Sequence, residues 1–368
     1  MKIRSIHIYQ HDLPVRGGQF RMASTIVSSL DTTIVEIRTD RGIKGYGEVC
    51  PVGPVYQPQH ALGARSGLEE MGPHLIGLDP LRIDCVYTAM EGALNGHAYA
   101  KAAVEMALWD IAGHAYGARV CDLLGGARRE RVPSYYSIGV IDPDAAAAQA
   151  REKQEEGYRR LQIKVGGRPL EMDLAAIRKV HEVLQPGVGL AVDANRGWTV
   201  RDALCVSIEC RDIPFIVEQP CATLEEVASL RGRIHHPVFL DEGADGLPVV
   251  LRAAGHGLCD GFGLKVTRMG GLGPMRTIRD VCAACRLPFT CDDSWGGDII
   301  AAACVHIAAT VPAPLLEGVW LAAPYIEGHY DAVNGIHIEE GTIQVPRGPG
   351  LGIAPDPGVW GDPVLSFG

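Results

Sequence analysis

Two amines and three carboxylates recur along the middle of the chain at nearly constant intervals. They are Lys164 in LQIKVGG, Asp193 in GLAVDANRGW, Glu218 in PFIVEQP, Asp241 in PVFLDEG and Lys265 in GFGLKVTRMGG, separated by 29, 25, 23 and 24 residues. Each closes a short apolar run and precedes a Gly/Pro turn or a polar loop. Carboxylate oxygens are hard ligands that suit Mg2+, with Mn2+ as the alternative, rather than zinc or copper. One such acid reads equally well as a strand-end ion pair. Three in successive units favour ligation of one ion, with Asn195 and Glu242 beside them as supporting groups. A lysine at a buried strand end is costly unless paired or functional. A nearby dication disfavours the ammonium form and brings the pKa down from about 10.4. The neutral amine can then remove a proton next to a carboxylate, with the metal stabilising the enediolate that results. Lys164 and Lys265 flank the acids in order, so they are expected to approach a substrate carbon from opposite faces.

Such residues need strands that end together. From about residue 132 the sequence alternates strand-like and helix-like runs: VPSYYSIGV, RLQIKV, GLAVDAN, FIVEQP, VFLDEG, GFGLKVT, PFTCDDSW and PLLEGVW, with helical stretches between. Eight repeats of this unit predict a (β/α) barrel, an α/β fold whose chemistry lies at the C-terminal ends of its strands. Residues 1–125 lack that period. They open with the strands SIHIYQHDL, TIVEIRTD and IKGYGEV and continue into the helix AKAAVEMALWDIAGHAYG, stopped at Gly117. This predicts an α+β capping domain over residues 1–125, a barrel over 126–325, and a Gly/Pro-rich segment over 326–368 that returns to the cap.

Bulk properties agree with that division. The 368 residues exceed a barrel of about 250 residues and leave room for a second domain. A hydrophobic content of 47% supplies a large core, and a net charge of −10 without a basic stripe argues against nucleic acid or an anionic membrane as partner. The start, MKIRSIHIYQHDLPV, has no uninterrupted apolar run of the kind an export signal needs. Eleven cysteines, an odd number, read as reduced thiols of a cytoplasmic protein. The lone Cys282-x-x-Cys285 reads as small buried residues on a helix. Gly270, Gly271 and Gly273 in MGGLGP do not have the spacing of a dinucleotide loop and read as a backbone turn after the sixth strand.

The run QIKVGG, VDANRGW, VEQP, LDEG, LKVTRMGG resembles the enolase superfamily, in the branch shared by muconate-lactonising enzymes and lysine-dependent racemases. The resemblance spans essentially the whole chain. It implies a capping domain over a modified barrel, Mg2+ held by Asp193, Glu218 and Asp241, Lys164 and Lys265 as acid/base pair, and a homo-oligomer, dimer or octamer. Two departures narrow the branch. The second strand carries Gln162-Ile163-Lys164 where Lys-x-Lys is usual, and the seventh carries Cys291-Asp292-Asp293-Ser294-Trp295 with no histidine, which excludes a His/Asp dyad.

Asp292 and Asp293 add negative charge beside Trp295 and Trp320 at the seventh and eighth strand ends. Tyr56, in the cap loop CPVGPVYQP, can reach down to them. Acids with aromatic faces favour a small carboxylate substrate with a cationic nitrogen. Tyr56, Gln162, Asp292, Asp293, Trp295 and Trp320 are the candidate contacts. The pairing of DDSWGGDI with EGVW, together with QIKVGG and CPVGP, is similar to the hydroxyproline-betaine 2-epimerases of that superfamily. The likeness implies epimerisation at C2 of 4-hydroxyproline betaine or proline betaine. A cis-3-hydroxyproline dehydratase and a dipeptide epimerase are the alternatives within the same chemistry. A histidine-ligated barrel hydrolase is disfavoured, because none of the thirteen histidines ends one of these runs.

Overall fold

The computed structural model describes residues 1–368. Eight parallel strands form one sheet in strict chain order: Tyr136–Ile138, Arg160–Lys164, Gly189–Asp193, Ile216–Glu218, Val238–Leu240, Gly261–Lys265, Phe289–Asp292 and Leu316–Gly318. A parallel bridge between Ser134 and Val319, with Val319 N–H donating to Pro133 O at 2.9 Å, joins the first strand to the eighth and closes the barrel. The expected first run is shorter than VPSYYSIGV. Arg131–Pro133 instead pairs antiparallel with Thr342–Gln344, and the barrel strand proper begins at Tyr136. Pro133 breaks the run, because it has no N–H to give to a continuous ladder.

Most connecting helices are amphipathic, and several have sequence-encoded starts. Asp142 caps Pro143–Glu155 by accepting from Asp144 N–H at 2.8 Å, and Thr199 with Asp202 forms a reciprocal cap on Val200–Glu209. The helix carrying Cys282 and Cys285 spans Leu272–Cys285. Cys282 is buried there but Cys285 is exposed, which corrects the expectation that both are buried, and all eleven cysteines are free thiols.

The N-terminal part is a four-stranded antiparallel sheet backed by helices. Its strands are ordered Leu365–Phe367, Ile3–Pro14, Ser29–Thr39, Lys44–Val49, so the last residues of the chain pair with the first. The helix Ala98–Tyr116 is buried along nearly its whole length between this sheet and the barrel, and it ends at Gly117 with φ 64°. No helix is long and apolar enough to cross a membrane.

Candidate active site

Strand register brings the separated residues into one row. Lys164 lies beside Asp193, Asp193 beside Glu218, and Lys265 beside Asp292 in the parallel ladder. Neighbouring strands are about 4.8 Å apart, so residues at matched heights can share a ligand. One oxygen each from Asp193, Glu218 and Asp241 lies within 4.8 Å of the other two, and all three residues are buried. Along the second strand the inward positions are Arg160, Gln162 and Lys164, while Leu161 and Ile163 point to the helices.

The amines sit at opposite ends of the acidic trio. Lys164 Nζ contacts Asp193 Oδ2. Lys265 Nζ bonds both oxygens of Asp241, at 2.7 and 2.8 Å. Asp241 also accepts from Arg268 Nη1 at 2.7 Å and from the Tyr56 hydroxyl at 2.9 Å. Burial opposes ionisation of Asp241, but Lys265 and Arg268 outweigh it and hold the carboxyl well below its usual range. Glu218 has no such cation in contact. Burial, then Asp193 and Asp241, push it up to about 8. Burial likewise raises Glu242 to about 8, with Asp241 and Asp193 adding to it. Burial alone would lower Lys164, yet Asp193 and Glu218 push it up to about 12.

The backbone around these acids is strained. Asn195, Arg196 and Gln219 have φ of 41°, 67° and 34°, a region non-glycine residues rarely occupy. Each strained turn returns a polar group to the site. Asn195 Nδ2 donates to Asp193 Oδ2 at 3.1 Å and to Glu242 Oε1 at 3.0 Å. Gln219 Oε1 accepts from the backbone N–H of Asp241 and of Gly243, both at 2.9 Å. Gln162 Nε2 donates to Glu218 Oε2 at 2.8 Å, while its Oε1 accepts from Ser137 Oγ at 2.8 Å. The donor set is hard oxygen throughout, its like charges repel, and Glu242 Oε2 and Asn195 Oδ1 are buried without a partner. That arrangement fits a divalent cation.

The wall opposite is aromatic. Trp295 and Trp320 meet edge to face at 5.3 Å, Trp320 stacks on Tyr325 at 5.3 Å, and Phe20 of the cap sets its edge on Trp295 at 5.7 Å and on Tyr325 at 5.3 Å. Asp292 lies against this wall. Its Oδ2 accepts from the Tyr135 hydroxyl at 2.9 Å and from Thr290 Oγ1, and its Oδ1 accepts from Trp320 N–H at 2.7 Å. Asp293 accepts from Thr267 N–H at 2.8 Å, from Thr267 Oγ1 at 2.7 Å and from Ser294 N–H at 2.7 Å. Burial raises both carboxyls above their ordinary range. The pocket, whose empty space of about 410 Å³ includes a part open to solvent, is lined by Lys164, Lys265, Glu218 and Asp241 on one side and by Asp292 and the tryptophans on the other.

All the sequence-predicted residues therefore meet at one barrel mouth. Sequence reasoning missed several residues of the site, among them Phe20, Tyr135, Ser137, Arg268 and Tyr325. Arg268 stands one helical turn after Lys265 in LKVTRMGG, a spacing that signals a shared face. Tyr135 and Ser137 alternate within the first run. Tyr325 lies in an irregular segment and Phe20 in the two-residue strand Phe20–Arg21, too short for a periodicity to mark it.

A barrel mouth with three converging carboxylates and flanking amines under an α+β cap defines an enzyme of the enolase superfamily, and the chain belongs to that family. Residues 145–359 match the family described as enolase C-terminal domain-like, and residues 4–125 match the mandelate racemase/muconate lactonizing enzyme N-terminal domain. The chain is 39% identical to a cis-3-hydroxy-L-proline dehydratase of Roseibium aggregatum over the full length of both, and 28% identical to a hydrophobic dipeptide epimerase of Enterococcus faecalis over 77% of this chain and 79% of that one. A solved structure of an enolase-superfamily member from Roseovarius nubinhibens ISM, complexed with magnesium, superposes with a TM-score of 0.94 at 34% identity, covering 100% of this chain and 99% of that one.

Proposed function

We propose that the chain is a Mg2+-dependent epimerase acting at C2 of a quaternary proline, 4-hydroxyproline betaine or proline betaine, by proton transfer between Lys164 and Lys265. Asp193, Glu218 and Asp241 are the residues to hold the ion. A bound Mg2+ supplies positive charge to the substrate carboxylate and relieves the anionic field that keeps Lys164 protonated. One lysine, as the free amine, takes the α-proton. The electron pair it leaves delocalises into the carboxylate, and the other lysine, as the ammonium, returns a proton to the opposite face of C2. The two amines thus begin each turnover in opposite protonation states and end it exchanged. Gln162, bridging Ser137 and Glu218, holds a neutral donor where the family usually has a second lysine.

The state of Asp292 carries the choice of substrate. It is a buried carboxylate with three neutral donors and no salt bridge to a cation of the chain, so its charge is available to the cavity while its acceptor capacity is largely used. An N–H ammonium needs acceptors. A quaternary nitrogen needs only a negative field and aromatic faces, which Asp292, Trp295, Trp320 and Phe20 supply.

Dehydration of cis-3-hydroxyproline is the second reading, favoured by the full-length similarity to the Roseibium aggregatum enzyme. It uses the same α-proton abstraction and then expels the β-hydroxyl as water. Proton NMR in D2O separates the two. Epimerisation replaces the C2 proton with deuterium and inverts that centre while the ring substituents persist. Loss of the C3 oxygen from 3-hydroxyproline, with no wash-in on N,N-dimethylprolines, would overturn the betaine reading.

A further inference from the structure

Two glycine-rich turns follow the sixth and seventh strands, MGGLG at 269–273 and WGGD at 295–298. Each opens a barrel helix, Leu272–Cys285 and Asp298–Ala309, and each of those helices begins at a glycine that provides no side-chain cap. The first-turn N–H groups of such a helix need partners from elsewhere. They find them in two carboxylates of the capping domain. Glu105, on the helix Ala98–Tyr116, accepts from Leu272 N–H at 2.7 Å, Gly273 N–H at 2.8 Å and Trp109 Nε1–H at 2.7 Å. Glu48, on the strand Lys44–Val49, accepts from Gly297 N–H at 2.8 Å, Ile300 N–H at 3.2 Å, Thr32 Oγ1–H at 2.9 Å and Tyr330 O–H at 2.8 Å.

Both glutamates are fully buried, and neither forms a salt bridge. Burying a carboxylate without a cation is costly, and the partial positive charge of a helix N-terminus is what offsets it here. The glycines make the approach possible. A Cβ at Gly271 would stand 2.2 Å from Glu105 Oε2, one at Gly273 2.8 Å from Glu105 Oε1, and one at Gly297 2.3 Å from the Tyr330 ring. The MGGLG turn is thus a landing surface for the cap.

We infer that Glu105 and Glu48 are positioning residues, two latches through which the capping domain fixes the active-site loops after the sixth and seventh strands. Glu105 holds the helix that follows Lys265 through the single turn Val266–Met269. Glu48 holds the residue two places beyond Trp295. One latch therefore bears on the proton-transfer amine and the other on the aromatic wall, and the barrel mouth takes its working geometry only with the cap in place. The turnover part of this inference rests on the proposed proton transfer; the docking part does not.

The test uses the full chain as Glu105→Gln, Glu48→Gln and Gly273→Ala, each confirmed folded by circular dichroism. Gly273→Ala displaces the Glu105 carboxylate without altering it. Hydrogen–deuterium exchange of the backbone reads the loops, and deuterium wash-in at C2 reads turnover. Glu105→Gln and Gly273→Ala are expected to speed amide exchange over 266–275 and to lower kcat about tenfold with KM nearly constant. Glu48→Gln is expected to speed exchange over 293–300 and to raise KM about tenfold with kcat nearly constant. Unchanged amide exchange in these segments, or equal losses in kcat and KM for all three variants, overturns the inference. If the wild-type chain shows no wash-in with any proline derivative, the proposed reaction falls instead, and amide exchange over 266–270 and 293–296 alone decides whether the latches hold these loops.

Discussion

The two amines keep unlike company. Lys265 grips both oxygens of Asp241, an acid that also accepts from Arg268 and Tyr56 and is held ionised against its burial. Lys164 touches only Asp193, beside a Glu218 that burial and neighbouring carboxylates push up to about 8. Charge on the Lys265 side is therefore fixed by the protein, whereas on the Lys164 side it is exchangeable and responds to protons and to a cation. Two lysines that look equivalent in the sequence are built for different starting states.

The largest expected effect comes from removing either amine. Lys164→Ala and Lys265→Ala should each lower epimerisation by about 10²–10⁴-fold, the range of a general acid or base. Each should also spare wash-in from one enantiomer, since the surviving lysine can still exchange the proton on its own face. If both variants lose exchange from the same enantiomer, the amines lie on one side of the substrate and the comparison collapses.

Next in size is the response of metal binding to pH. Glu218 and Glu242 have folded values near 8 against an ordinary value of 4.5, so the folded metal-free chain binds more protons than the unfolded chain between those limits. Their contribution to the stability of the metal-free chain must fall as pH rises from about 4.5 to about 8. Ligation requires Glu218 ionised, so Mg2+ affinity should rise about tenfold per pH unit until about pH 8 and then level off. Isothermal titration calorimetry in buffers of different ionisation enthalpy reads both the affinity and the released proton. Release of no proton near neutral pH would show that the Lys164 side is as fixed as the other.

These halves also differ in how much of them was legible in the sequence. The acids and amines announced themselves because a barrel repeats one structural unit, and the unit's end is where polar residues interrupt an apolar run. Register then did the rest, placing Lys164, Asp193 and Glu218 side by side. Trp295 and Trp320 were visible for the same reason. Arg268 was in view but carried no marker of burial, since an arginine one turn beyond a strand is ordinarily solvated. Phe20 reaches the wall from a two-residue strand and Tyr325 from an irregular segment, and only tertiary packing assigns them to it. The capping glutamates were invisible in principle, because Glu48 and Glu105 find their partners 249 and 167 residues away. The split of the first run at Pro133 shows the same limit: a local apolar pattern marks a strand but not the partner with which it pairs.

A smaller effect is expected at the wall itself. Asp292→Asn keeps the shape and one of the two acceptor oxygens but removes the charge that faces the cavity. KM for an N,N-dimethylproline should rise about tenfold. Proline itself, with N–H groups to satisfy, should be affected less. Wash-in kinetics on the two substrates measure the ratio, and an equal rise for both would make Asp292 a structural anchor for Trp320 rather than a partner of the nitrogen.

The smallest effect concerns how the cap loop reaches the Lys164 side. Ala23 rests on a glycine seat formed by the loops after the second and third strands: a Cβ at Gly167 would stand 1.9 Å from Ala23 O, and one at Gly197 would stand 3.2 Å from Ala23 Cβ. The same loop carries Phe20 to the aromatic wall and is tied to the barrel by Val140 N–H donating to Arg21 O at 2.8 Å. One segment therefore spans from the seat beside Lys164 to the cation wall. Ala23→Val overfills the seat, at a cost that small-to-large changes in packed sites usually incur. A shallow loop seat can yield more than a core, so the expected outcome is a rise in KM of about threefold with kcat unchanged. A fall in kcat with KM unchanged would mean that the seat aligns Lys164 itself, and the exchangeable side of the site would then be set by the cap as firmly as the fixed one.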